Sequence, residues 1–486
     1  MSEEHTKTET AGDAGASGPK RRRRRRRKRG NGGNGGNGQG GSNGQATQSA
    51  EVNGNVAVEA APEPEVAESA SDEGSEALTA SGILELGLQA DGRIRQLDET
   101  YVAEPTDPVV PMHLVERLGL RAGVQIEAKL GKPFGGGGQG GGKKKKKSRL
   151  QLIDPKARRV AEITSVEGMD PAEYAKSVRQ FDDLTTIMPE PRLTLEYPDC
   201  PAACRLIDMF CPIGYGTRGM IVSPPKAGKT TLLQNIAFAI QKNHPDVEVY
   251  ALLVDERPEE VTDFRRNVPC TVWASSNDHP PERHVGLAIN AIERCKRHAE
   301  EGKDVVVLMD SLTRLGRAFN TAQGLVNTGR TLSGGLDAGA LSIPKQLFGA
   351  ARKFEEGGSL TIIASALVDT GSRGDQVIFE EFKGTGNMEV ILDRKIAEQR
   401  VFPAIDLAAS GTRNEDRLMS EKELDTVTAL RRRLMNMAPV MQVDQLLKAI
   451  ARFKTNAELV GDRDGRSGVG GGGGGAGGPL GPGGRR

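Results

Sequence analysis

Ser223-Pro224-Pro225-Lys226-Ala227-Gly228-Lys229-Thr230 places small residues, two cations and a hydroxyl in eight consecutive positions, a composition suited to wrapping phosphate. The segment follows the apolar run Met220-Ile221-Val222. It precedes a stretch in which Leu232, Leu233, Ile236, Ala237 and Ile240 recur at helical spacing. Strand, loop and helix is the context in which backbone N–H groups and a helix N-terminus face an anion. There Lys229 reaches the β- and γ-phosphates and Thr230 a Mg²⁺ ion. Lys226, Ala227, Gly228 and Thr231 complete the expected ATP-binding set. Ser223 stands where this motif usually has its first Gly, and a small side chain still permits the turn.

A phosphate loop needs a carboxylate on the metal side, normally at the end of a buried strand beside the loop. Val305-Val306-Val307-Leu308-Met309-Asp310 supplies one, with Asp310 at the carboxyl end, where open α/β sheets place ligands. Capping of a helix over 312–320 is the alternative role for Asp310. A second run, Val249 to Val254, ends in Asp255-Glu256-Arg257. A carboxylate there is placed to hold an attacking water for in-line displacement, or to cap a helix over 258–267. Cys200, Cys204 and Cys211 invite a metal reading, but no His lies near them in sequence to complete a tetrahedral set.

These residues need elements to position them. From Gly219 onward, apolar runs at 220–222, 247–254, 305–309, 360–366 and 388–392 alternate with helix-compatible segments, the mark of βαβ units and a mostly parallel sheet. The expectation is an α/β motor domain over 219–457. Upstream, Gly82 to Leu86, Gly92 to Arg95, Gly123 to Leu130, Arg149 to Ile153 and Arg159 to Ile163 read as short strands of a small β-rich domain over 81–167. A Gly/Lys-rich insertion at 135–147 looks like a hairpin loop within it. Residues 168–218 read as an irregular linker. Residues 1–80 and 458–486 lack apolar clusters, and both are expected to be disordered, low-complexity extensions.

The chain has 486 residues, enough for several domains, and 66 Lys plus Arg against 65 Asp plus Glu. Bulk charge therefore gives no argument for a polyanionic partner; position does. Arg21 to Arg27 form an unbroken cationic block ahead of an acidic stretch over 51–76. Such a block attracts RNA by counterion release, or neutralises the acidic stretch. Five Cys in a chain this long argue against a disulfide framework. With no apolar signal core and no run of membrane-spanning length, the expected location is the cytoplasm, with no membrane partner.

Several of these words, taken in order, resemble the Rho family of bacterial transcription termination factors, hexameric RNA-stimulated ATPases and helicases with a RecA-like motor. They are Pro224 to Thr230, Asp255-Glu256-Arg257-Pro258-Glu259-Glu260-Val261, Asp310-Ser311-Leu312-Thr313-Arg314, Glu380 to Glu389, Arg400 to Asp406 and Ser410-Gly411-Thr412-Arg413. The resemblance covers about 205–455. It implies a RecA-like P-loop motor preceded by a small OB-like β-barrel, a homohexamer using ATP and Mg²⁺, and single-stranded RNA and RNA polymerase as partners. It implies that Lys226, Lys229 and Thr230 hold phosphates and Mg²⁺, that Asp310 supports the metal, and that Glu256 positions the water. Phe402 would stack on adenine and Arg413 would enter the neighbouring subunit's site as an arginine finger. Arg257 and Lys383 would line the subunit boundary, with Lys383, Arg330 and Arg373 engaging RNA. Arg330 stands where many members carry Lys.

The resemblance is weaker in the N-terminal half. Asp91-Gly92-Arg93-Ile94-Arg95-Gln96-Leu97 stands where members carry a Phe-rich strand. Stacking contributes about 1–3 kcal/mol per base, so a pyrimidine-selective site is not expected. Arg93, Arg95 and the lysines 143–147 are the candidate phosphate-directed replacement, and Tyr101 is the aromatic nearest to them.

Overall fold

The computed structural model describes residues 78–87, 91–96, 104–133, 156–177, 179–322, 331 and 333–461, all within one compact unit, 74–486. Arg330, Tyr101, the lysines 143–147, the 1–77 arm and the 462–486 tail lie outside the described residues.

The N-terminal part is a closed barrel of strands β1 (Thr79–Glu85), β2 (Gly92–Arg95), β3 (Val109–Val110), β4 (Gln125–Pro133) and β5 (Arg158–Val166), in the order β1-β2-β3-β5-β4. Closure leaves no free edge among these strands. Leu84, Ile94, Val110, Ile126, Ala128, Val160 and Val166 fill its interior, plugged by Leu114 and Val115 of helix Met112–Leu118. Alternation along β1 sends Ile83 the other way, into the core of the motor.

Arg93 and Arg95 differ from expectation: they are 8 % and 4 % exposed. Arg95 is ion-paired to Glu85 and Asp107, and Arg93 donates to the Asp107 carbonyl at 3.5 Å. Glu85 lies opposite Arg93 in the β1–β2 register, one diagonal from Arg95. A buried guanidinium is tolerated only with partners, and these commit both cations to the barrel rather than to RNA.

The motor sheet comprises β7 (Arg218–Ser223), β8 (Glu248–Glu256), β9 (Thr271–Ser276), β10 (Asp304–Asp310), β12 (Ser359–Leu367), β13 (Met388–Ile391) and β14 (Gly411–Thr412), in the order β14-β13-β7-β12-β10-β8-β9. All neighbours are parallel except the β13–β14 pair. The short β6 (Thr186–Ile187) and β11 (Arg352–Phe354) attach beside β12. Strand β12 stands between β7 and β10, so the strand of Asp310 is one place removed from the strand of the phosphate loop. The sheet is covered on both faces, as a parallel sheet requires.

The segment expected as a linker contains more structure than its Pro content suggested. Leu193, Leu195 and helix Ala202–Phe210 are buried in the motor core, Cys204 and Cys211 among them. Barrel and motor meet along helix Pro281–Glu300. Arg121 pairs with Glu300 at 2.5 Å, Arg294 with Glu167 at 2.5 Å, and Arg294 also donates to the Gly123 carbonyl at 3.3 Å. Gly123 itself has φ +86°, and a Cβ there would fall 2.4 Å from the Glu293 backbone.

Candidate nucleotide site

The phosphate loop leaves the carboxyl end of β7 and enters helix Lys229–Asn243 through Gly228, whose φ of 91° is left-handed. Ser223 does not have a positive φ and ends the strand with its hydroxyl on the Pro224 carbonyl at 2.8 Å. The position therefore makes no demand for glycine. Lys226 does adopt φ 68° and is exposed at the turn. Ala227 is buried beneath the loop, whereas Thr230 is half-buried and Thr231 exposed on the first helical turn.

Lys229, Glu256 and Asp310 converge from three elements. The Lys229 ammonium is ion-paired to Asp310 and lies 3.4 Å from Glu256 Oε1. Both carboxylates are 2 % exposed. Ser365, from the intervening strand β12, donates to Asp310 Oδ1 at 2.8 Å. Arg314 Nε lies 3.1 Å from Glu256 Oε1 and its Nη1 donates to the Asp255 carbonyl. Glu256 Oε2 is buried with no hydrogen-bond partner. Burial, reinforced by the Asp310 carboxylate, pushes Glu256 up to about 7 against the pull of Lys229 and Arg314.

Neither carboxylate takes the alternative capping role. Ser311, not Asp310, caps helix Leu312–Thr321 through the Arg314 N–H. Helix Pro258–Asn267 begins at Arg257 with no side-chain cap. Phe402, 45 % exposed, borders the loop, its ring 3.7 Å from where a Cβ on Gly228 would stand. Arg257 is exposed near Glu260, 3.7 Å away.

Arg413 is not brought to this cluster. Its N–H donates to the Asn387 carbonyl at 2.8 Å, and the Asn387 side chain accepts from Arg218 N at 2.9 Å. Arg413 thus sits exposed at the opening end of β7, about 17 Å of strand away from the phosphate loop. Arg373 and Lys383 are exposed at the two ends of helix Arg373–Phe382. The first turn of that helix packs on the Ser333–Gly335 turn downstream of helix Leu312–Thr321, with the Gly374 backbone against Gly334. Arg317 of the latter helix binds Asp375 at 2.7 Å. Arg314 and Ser365 were not singled out as site residues. Ser365, a hydroxyl near the end of an otherwise apolar run, was a readable signal for a partner to a carboxylate.

Phosphate loop, buried carboxylates and parallel sheet define a P-loop ATPase. The ATP synthase alpha/beta family nucleotide-binding domain matches residues 203–412. Transcription termination factor Rho of Cereibacter sphaeroides is 45 % identical over 380 residues, spanning 78 % of this chain and 85 % of that protein. Those of Aquifex aeolicus and Haemophilus influenzae are 46 % and 47 % identical, each across 78 % of this chain and covering 83 % and 86 % of theirs. A solved ATPase of a type III secretion system is 25 % identical, with 58 % of this chain and 78 % of that one aligned at a TM-score of 0.46. The chain belongs to the transcription termination factor Rho family, and it is an ATP hydrolase. Among the described residues, no helix is long and apolar enough to cross a membrane.

Proposed function

We propose that this protein is a cytoplasmic transcription termination factor, a homohexameric ring that hydrolyses ATP to translocate along single-stranded nascent RNA and release it from RNA polymerase. The observation that carries the reading is the buried convergence of Lys229, Glu256 and Asp310, with one Glu256 oxygen left to accept a hydrogen bond. A scaffold that merely coats RNA has no use for such a cluster, because burying two carboxylates beside each other costs stability.

A triphosphate entering the loop competes with both carboxylates for the Lys229 ammonium. The loop N–H groups and the start of helix Lys229–Asn243 bind its oxygens. Lys226 adds charge from the turn, and Phe402 offers a face for adenine. Glu256, fixed through Oε1 by Arg314, directs Oε2 at a water and orients it in line with the γ-phosphate. The Thr230 hydroxyl and the Asp310 carboxylate are hard oxygen donors of the kind Mg²⁺ takes, with one Asp310 oxygen fixed by Ser365. Thr230, supported by Asp310, would hold Mg²⁺, which would supply charge neutralisation for the phosphates. Arg413, remote from its own loop, serves the site of a neighbouring subunit, and Arg257 and Lys383 flank that boundary. Arg373 and Arg330 face RNA.

ATP hydrolysis measured with and without single-stranded RNA tests the motor. RNA should stimulate turnover, and Glu256→Gln should bind nucleotide like the wild type but hydrolyse it at least about 100-fold more slowly. Full turnover in Glu256→Gln removes that residue from the mechanism, and RNA-independent hydrolysis rejects the motor.

A further inference from the structure

Beside the nucleotide end of the sheet lies a cluster that the reaction described above does not use. Helix Pro281–Glu300 brings His284, 4 % exposed, between the ends of β9 and β8. The His284 ring is hydrogen-bonded at Nδ1 to the Ser275 hydroxyl, and its Nε2 faces Asp255 Oδ1 at 4.0 Å. The other Asp255 oxygen lies 3.5 Å from Arg314 Nη1, and that nitrogen also donates to the Asp255 carbonyl. Arg314 Nε then ion-pairs with Glu256 Oε1 at 3.1 Å, its N–H making no hydrogen bond. Ser275, His284, Asp255, Arg314 and Glu256 lie in one line of polar groups across four elements, ending on the carboxylate whose free oxygen is buried.

Two further features give this line a direction. Asp255 holds φ 58°, a left-handed conformation uncommon for a residue bearing a β-carbon. That turn bulges the end of β8 between Val254 and Glu256 and sets where the next residue, Glu256, points. The neighbours also orient the imidazole: Ser275 and the His279 backbone hold the ring with Nε2 turned toward Asp255. Burial holds His284 below its usual value and so keeps it neutral. The other charged groups around the ring are His279 and Arg283, with Arg314 beyond Asp255.

We infer that His284 is a positioning residue for hydrolysis: through Asp255 it fixes Arg314, and through Arg314 it holds the Glu256 carboxylate in the orientation that aims Oε2 at the water. The inference rests on the reading of Glu256 as the residue that orients the water. His284 touches neither nucleotide nor water and acts only through its neighbours. A residue of this kind affects kcat while leaving nucleotide affinity almost alone, whereas a purely structural histidine affects folding and binding together.

The test is steady-state ATP hydrolysis by the full chain on saturating RNA, with thermal unfolding and binding of a fluorescent ADP analogue measured on the same variants. His284→Ala should lower kcat about tenfold with KM for ATP within about twofold. His284→Gln, whose amide offers an N–H donor near the Nε2 position, should recover at least about half of the wild-type rate. Because both cuts fall on one line of contacts, His284→Ala combined with Asp255→Asn should be no slower than the slower single variant. A wild-type kcat in His284→Ala overturns the inference. So does a His284→Gln no faster than His284→Ala when both bind the analogue normally, or a double variant whose losses multiply. Should His284→Ala not fold, Asp255→Asn decides: slowing that His284→Gln does not deepen supports the inference, and a wild-type rate overturns it. Glu256→Gln in the same assay separates the two readings. If it still turns over, the reading of Glu256 fails and the inference with it; if it stops while His284→Ala runs normally, only the His284 inference fails.

Discussion

Glu256 faces two demands that its surroundings set against each other. In the proposed mechanism it must be ionised to accept a hydrogen bond from water, yet burial and the Asp310 carboxylate push it up to about 7. Protonation therefore removes the acceptor below about 7, rather than near the usual carboxylate value. The expected outcome is a kcat/KM for ATP that rises with pH through about 7, since that parameter reports ionisations of the free enzyme. A profile flat from pH 6 to 8, measured on saturating RNA, would contradict it. At this scale the sequence was informative about Lys229, Glu256 and Asp310, because each ends or begins an element whose pattern is local. It was silent about His284 and Ser275, which lie nine residues apart on different elements and meet each other and Asp255 only when helix Pro281–Glu300 packs on β8 and β9.

The strands of the motor were legible because parallel strands buried on both faces read as unbroken apolar runs. Strand β9, Thr271–Ser276, escaped because it has only Val272, Trp273 and Ala274 between polar ends. Helix Ala202–Phe210 escaped for the opposite reason. Arg205 and Asp208 are buried alongside its apolar residues, so no polar face contrasts with an apolar one. Arg205 donates to the carbonyls of Ile450 and Phe453, and Asp208 accepts from the N–H groups of Leu195 and Glu196, contacts that no local pattern reveals. The seam between barrel and motor was equally invisible, and Gly123 tests it. Its left-handed φ alone costs a substituted Ala roughly 1–2 kcal/mol, and the added Cβ would meet the Glu293 backbone. Gly123→Ala should thus unfold at lower denaturant than the wild type, by at least that amount. Equal stability would mean that the seam opens without cost.

Two consequences belong to the whole molecule. The first concerns the proposed ring: with Arg413 at the far end of β7 from its own phosphate loop, a finger acting in trans would leave a subunit carrying Arg413→Ala and another carrying Lys229→Ala defective at different boundaries. Mixing them should restore part of the RNA-stimulated ATPase wherever an intact loop meets an intact finger; no recovery in rings shown to be mixed would argue against a finger acting in trans. The second concerns how RNA is first captured. The barrel lacks a Phe-rich strand, and its two arginines in β2 are committed to Glu85 and Asp107. Phosphate attraction then falls to cations outside the described residues, the Arg21 to Arg27 block and the lysines 143–147. Binding through phosphates releases counterions and so weakens steeply with salt, by a factor that grows with the number of contacts. It also discriminates little between bases. Single-stranded RNA binding by the full chain should therefore fall steeply with salt, with similar affinity for cytidine and adenosine tracts. Deleting residues 1–77, short of β1, and replacing the five lysines with Ser should flatten that dependence, whereas Arg95→Ala should leave the slope unchanged and instead destabilise the barrel. ATP hydrolysis on saturating RNA should survive the deletion, because the proposed RNA contacts of Arg330 and Arg373 would remain. A shallow salt slope with strong cytidine preference in the intact chain would place a stacking surface in the barrel and return base recognition to it.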